Sequence, residues 1–165
     1  EQIRKVLLAG ADKVVLNTAA IESPSLIQEA SQVFGGQCII VSLDVKLIDG
    51  EYQVFTHSGK KRAGISLSKA AMLAQNHGAG ELLVTNIDLD GTLSGYDYKL
   101  FADAVKIVDI PVIGAGGAKD YEDMRNAFEK SGVDALASAA MYHFTEQTPN
   151  EAKAYLKAKG INVRS

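Results

Sequence analysis

With 165 residues, 47% hydrophobic and 22% charged, the chain is long enough to bury a core and falls within the size of one domain. A net charge of −3 and a pI near 5.6 disfavour nucleic acid or an anionic membrane surface as partner, and no basic cluster is longer than Lys60-Lys61-Arg62. No run approaches the roughly 18 to 20 apolar residues of a membrane span, and the opening residues lack the apolar core of a signal peptide, so a cytoplasmic protein is expected.

The opening EQIRKVLLAG reads as the last turns of an amphipathic helix, and the sequence is expected to be part of a longer protein. A first strand, KVVLN (13–17), follows, then a helix at 24–34 with Pro24 at its first position. CIIVSLDVK (38–46) is a second strand; its lone cysteine, Cys38, reads as a packed thiol without a disulfide partner. YQVFTHSGKKRAG reads as a β-hairpin inserted after that strand, and a helix at 66–77 begins at Ser66, a natural N-cap. The strands ELLVTNID (81–88), PVIGAG (111–116) and ALASAA (135–140) then alternate with helices at 97–108, 119–131 and 149–158. Strand starts recur at similar intervals except across the hairpin, so the whole of 1–165 reads as repeated βα units with no linker. An open doubly wound sheet and a (β/α)8 barrel both fit this alternation.

In either architecture the chemistry stands at the carboxyl ends of the strands. Those ends carry Asn17-Thr18, Asp44 with Lys46, Asp88 and Asp90 with Gly91-Thr92, Gly114 to Gly117, and Ser138 to Ala140. Carboxylates on two strand ends suit acid and base work when burial separates their pKa values; a helix-facing or loop-capping role is the plainer reading of Asp44, and a simple turn that of DLDGT. GAGGAKD (114–120) offers backbone N–H groups and a helix start to a phosphate, and it lacks both the G-x-G-x-x-G spacing and the P-loop Lys-Ser/Thr pair. Two neighbouring small-residue strand ends match the phosphate site that barrels build from their last two βα loops, which favours the barrel. His57, His77 and His143 have no metal-ligand spacing, so neither a metal nor another cofactor is expected; His77 reads as a helix end, and His57 on the hairpin most plainly as an exposed loop histidine, with a substrate-facing role as the alternative.

Taken together, GADKVVLNTAAI, SLDVK, THSGKK, GAGELLVTNIDLDGTLSGYD, PVIGAGGA, MYHF and YLKAKGINVR resemble the cyclase subunit of imidazole glycerol phosphate synthase, over essentially the whole chain. The resemblance implies a (β/α)8 TIM barrel, of which this chain supplies about five C-terminal βα units. It also implies a lyase-type cyclase of histidine biosynthesis. That enzyme uses ammonia from a glutaminase subunit to convert a bisphosphorylated ribulosyl aminoimidazole carboxamide nucleotide into imidazole glycerol phosphate and an aminoimidazole carboxamide ribotide.

Carried over by the resemblance, Asp44 is a catalytic acid/base. Asn17 and Thr18 lie beside the substrate and one phosphate, Ser58 and Gly59 belong to the covering hairpin, and Asp90 with Gly91 lies near the other phosphate. Gly116, Gly117, Ala139 and Ala140 cradle that phosphate, and Lys13 and Glu81 belong to a charged ammonia gate with Asp12 at the glutaminase interface. Ala115 and Ala140 stand where many members have serine, which removes hydroxyls and leaves backbone donors in place. The family's other catalytic aspartate lies on the barrel's first strand, so little activity is expected of the 165 residues alone. Two readings compete with the cyclase: a cyclase-like paralogue that supplies ammonia to a sugar-amidating enzyme, and a non-catalytic phosphate-binding half-barrel.

Overall fold

The structure, a computed structural model, describes residues 1–164; Ser165, the last residue of the expected domain, lies outside them. Helix α1 (Gln2–Leu8) leads to β1 (Val14–Leu16), then to α2 (Thr18–Glu22) and α3 (Ser25–Phe34). A 3-10 turn, Gly36–Cys38, opens β2 (Ile39–Ile48), which folds back through β3 (Glu51–Thr56) and β4 (Lys61–Ser66) into α4 (Leu67–Asn76). The remaining elements are β5 (Glu81–Asn86), α5 (Tyr98–Ile107), β6 (Val112–Ala115), α6 (Tyr121–Ser131), β7 (Ala135–Leu136), α7 (Ala140–Phe144) and α8 (Pro149–Ala158).

Five strands run parallel in the order β1, β2, β5, β6, β7, and these are the five that the apolar runs predict. The chain is thus an α/β fold of successive βα units, fewer than the eight that close a barrel, and β1 and β7 each keep one edge unpaired among the described residues. Side chains alternate across each strand. Ile39, Val41, Leu43 and Val45 of β2, with Leu82 and Val84 of β5 and Val112 of β6, are all but fully buried on one face. The helices cover that face. In α4 the residues Leu67, Ala70, Ala71 and Ala74 recur at helical spacing and are buried, their small size letting the helix lie close to the sheet. Gly114 of β6 has the same purpose, since a Cβ there would stand 2.5 Å from the ring of Phe101 on α5.

Four helices start on a side-chain cap that satisfies an otherwise orphaned N–H: Ser66 for α4, Asp97 for α5, Asp120 for α6 and Thr148 for α8. Ser66 is the cap that the sequence predicts. Pro24 sits one residue earlier than expected, at the cap of α3 with a helical φ of −60°. The expected last strand, 135–140, shrinks to two residues: alanine is a weak strand former, and the chain turns at Ala139 into the short helix α7. No helix among the described residues is long and apolar enough to cross a membrane.

The hairpin is deeper than its sequence implies. β2 runs on to Ile48 and pairs antiparallel with β3, Asp44 opposite Phe55 and Ile48 opposite Glu51. The same edge of β2 pairs in parallel with β1 from Ile39 to Val41. One strand edge therefore serves two neighbours in succession, a barrel-type strand first and a hairpin strand second.

Candidate functional site

The face of the sheet turned away from the helices carries Asp44. Its plainer reading as a helix-facing residue is thereby corrected: Val41, Leu43 and Val45 take the helix side, and alternation sends Ser42 and Asp44 to the other. Strand registers set Asp44 beside Thr85 of β5, and Thr85 beside Ala115 of β6. With strands about 4.8 Å apart, Asp44 and Ala115 are the two ends of a row about 10 Å long.

At the far end of that row, lined by Thr85 and Ala115 themselves, lies a cavity of about 220 Å³. Its walls are three loops: Asp90-Gly91 after β5, 115–118 after β6 and 137–140 after β7. The N–H groups of Gly116, Gly117, Ala118 and Ala139 donate to no acceptor among the described residues, and the buried Ser138 hydroxyl also lacks a partner there. Unpaired donors around a cavity form an anion cradle. Gly116 and Gly117 have φ of 90° and 94°, and a Cβ would lie 2.4 Å from the Asn86 carbonyl oxygen or 2.2 Å from that of Gly95. These glycines are fixed by the close approach of loop to loop as well as by their amides. The expected contribution of the α6 start is corrected: Asp120 caps that helix with its own carboxylate, and the cavity is bounded instead by the β6 loop and the start of α7.

Asp44 is half-buried, and its Oδ1 accepts from Asn17 Nδ2 at 2.9 Å. Burial raises its pKa above the usual carboxylate range; the Asn17 hydrogen bond opposes that rise and the charge of Asp90 adds to it. Asn17 Nδ2 also reaches Ser42 Oγ at 3.4 Å, so Asn17 fills the gap where the edge of β2 changes neighbours. Thr18 Oγ1 accepts from the His57 N–H at 2.9 Å, latching the hairpin tip onto the start of α2. His57 and Ser58 have φ of 55° and 57°, and a Cβ on Gly59 would meet Ile87 Cδ1 at 2.7 Å. The tip thus forms a roof that rests on the ends of both β1 and β5, through His57 and Gly59.

Lys46 and Asp88 are spent on each other, at 2.7 Å, with the ammonium 5.5 Å from the centre of the Phe55 ring. That leaves Asp44 and Asp90 as the carboxylates facing the open space. Asn86, which sequence reasoning passed over, shapes the turn that carries Asp90. Its Oδ1 accepts from the N–H groups of Asp88 and Leu89, its backbone oxygen from that of Asp90, and its Nδ2 donates to Asp97 at 2.8 Å. An Asn two residues before an Asp at a strand end is an Asx-turn signal, and TNID contains it. At the opposite ends of the strands, Lys13 and Glu81 form an ion pair across the start of β2, with Asp12 exposed beside it.

The model of the histidine biosynthesis protein family matches residues 1–148. The chain belongs to that family. It is 45% identical, over 164 residues, to the imidazole glycerol phosphate synthase subunit HisF of Thermotoga sp. (strain RQ2), covering 99% of this chain and 64% of the relative. Two proteins of the same name from Dehalococcoides mccartyi are 45% and 46% identical over 159 residues, 96% of this chain and 63% of theirs. The chain thus spans somewhat less than two thirds of the length of the curated relatives it matches. Of the motifs that resemble the cyclase, SLDVK holds the carboxylate end of the row, and PVIGAGGA and GAGELLVTNIDLDGTLSGYD supply residues that line the cavity.

Proposed function

We propose that this chain carries the acid/base and phosphate-binding half of the cyclase site of imidazole glycerol phosphate synthase, as five consecutive βα units of a (β/α)8 barrel in a cytoplasmic enzyme. The observation that carries the reading is the row from Asp44 through Thr85 to Ala115, which ends in the N–H-lined cavity. A phosphate in the cradle would hold one end of a bisphosphorylated nucleotide and lay its reacting carbons along the row. Asn17 and Thr18 lie at the other end, near the second phosphate.

Ring closure with ammonia needs a group that gives up and takes back a proton as a carbonyl becomes an imine and the carbon–nitrogen skeleton rearranges. Asp44 suits that work: burial favours its protonated form, and Asn17 keeps one oxygen aimed. The second catalytic carboxylate would come from the barrel's first strand, outside these residues. Ammonia would arrive from a glutaminase subunit seated at the Asp12, Lys13 and Glu81 end, opposite the cradle.

The experiment joins this chain to the N-terminal βα units of the Thermotoga relative and assays turnover of the histidine-pathway nucleotide with ammonium salts. Turnover that falls roughly 10²–10⁴-fold in Asp44→Asn while the nucleotide still binds is expected. Binding without turnover in the parent fusion would favour a cyclase-like paralogue, and absence of binding would refute the reading.

A further inference from the structure

Tyr96 has no part in the chemistry assigned above, yet it is tied to all three loops that wall the cavity. It lies in the loop after β5, and its N–H donates to the Asp123 carboxylate, 3.3 Å and 3.1 Å from the two oxygens. Asp123, buried on α6, also accepts from the Tyr98 hydroxyl and, at 3.1 Å, from the Lys119 N–H at the end of the β6 loop. One residue before Tyr96, the Gly95 N–H donates to the Gly117 oxygen at 2.8 Å. The Tyr96 hydroxyl then crosses to the β7 loop and donates to the Ala137 oxygen at 3.1 Å. Its ring packs against Phe101, centroids 5.7 Å apart, and the residue is 5% exposed.

Ala137 is gripped at both ends, because its N–H donates to the Gly114 oxygen at 2.8 Å. A peptide unit is planar and trans, so fixing the Ala137 oxygen also fixes the direction of the Ser138 N–H. The residues that follow, Ser138 and Ala139, carry the unpartnered hydroxyl and one of the unpaired N–H donors of the cradle.

We infer that Tyr96, anchored by Asp123, is a positioning residue of the anion cradle: it sets the spacing of the three loops and so the affinity for a phosphate group that it does not itself touch. The inference rests on the phosphate reading of the cavity proposed above. A ring held only for packing would bury its hydroxyl against any convenient acceptor; here the acceptor is the one loop that neither Asp123 nor Gly95 reaches.

The test titrates inorganic phosphate into the isotope-labelled full chain and follows the backbone amide signals of Gly116, Gly117, Ala118 and Ala139. Tyr96→Phe keeps the ring and removes one hydroxyl; Asp123→Asn loosens the anchor by a second route. Tyr121→Phe removes a hydroxyl that accepts from the Thr148 N–H and donates to Glu151, away from the cavity, and serves as the control. Tyr96→Phe is expected to shift the cradle signals before phosphate is added and to weaken phosphate binding about threefold to tenfold, the effect of one hydrogen bond, with Asp123→Asn acting in the same direction and Tyr121→Phe binding as the parent. Parent-like affinity in both Tyr96→Phe and Asp123→Asn overturns the positioning role and leaves the cradle standing. An equal loss in Tyr121→Phe also overturns it, by showing general loosening. Absence of any phosphate response at these amides in the parent chain refutes the cradle itself.

Discussion

Asn17, at the end of β1, holds the carboxylate of Asp44, on β2, at 2.9 Å across a point where no backbone ladder joins the two strands. The amide does locally what a longer β1 would do, and it presents Asp44 to the open face with one oxygen fixed and the other available.

That arrangement has a cost in stability that pH reveals. A carboxyl whose folded pKa is raised binds its proton more tightly in the folded state, so stability falls as pH rises from the ordinary value of 3.8 through the raised folded value, and stays lower above it. Asp44→Asn keeps an oxygen for Asn17 and cannot ionise. Its melting temperature should exceed the parent's at neutral pH and equal it below 3.8, while turnover of the complete enzyme falls roughly 10²–10⁴-fold. A parent-like melting temperature across the whole range would contradict the burial cost.

The two kinds of glycine at the cradle should separate in denaturant titrations. Gly117→Ala puts a Cβ 2.2 Å from a backbone oxygen at φ 94°, and Gly91→Ala meets nothing within 4 Å at φ 79°. The first should cost roughly 2–4 kcal/mol and the second about 1 kcal/mol. Equal losses would mean that the loops can part without strain.

Thr18→Val removes the hydroxyl that accepts the His57 N–H and changes little else in shape. The hydroxyl also donates to Asn17 Oδ1 at 3.3 Å; losing its bond from the His57 N–H, about 1 kcal/mol, should speed hydrogen exchange at His57 about fivefold, with exchange in β5 and β6 unchanged. Unaltered exchange at His57 would show that contact with Ile87 alone holds the roof.

Lys13→Met should leave the melting temperature nearly unchanged, because a part-exposed ion pair contributes only about 0–1 kcal/mol. On the proposed function, glutamine-driven turnover of the fusion with a glutaminase subunit should fall while ammonium-driven turnover persists. Parallel loss of both would remove Lys13 from the ammonia route.

Much of this was legible in the sequence because the strands are unbroken Val/Ile/Leu runs with turn residues before them, and Ile39 to Leu43, with Leu82 and Val84, are buried where those runs predict. Helices announced themselves through caps such as Ser66. The two short helices were not legible: α2 and α7 have five residues each, too few to show a helical period, and both begin directly after a strand end. At the site, Asp44, Gly116 and Gly117 stood out as residues whose types are anomalous for a strand. Tyr96 did not, since its importance comes from hydrogen bonds to residues 27 and 41 positions away, which no local pattern records, whereas the turn made by Asn86 is local and was open to reading from TNID.

The divided edge of β2 separates two kinds of variation. From Ile39 to Val41 the strand is bound into the parallel sheet; from Asp44 onward its partner is the hairpin. The β2–β3 turn beyond Lys46 and Gln53 can therefore lengthen or shorten without moving Asp44, which remains clasped by Asn17 on one side and paired with Thr85 on the other. The parallel ladder and the hairpin ladder are in this way carried by adjoining stretches of a single strand, free to change at different rates.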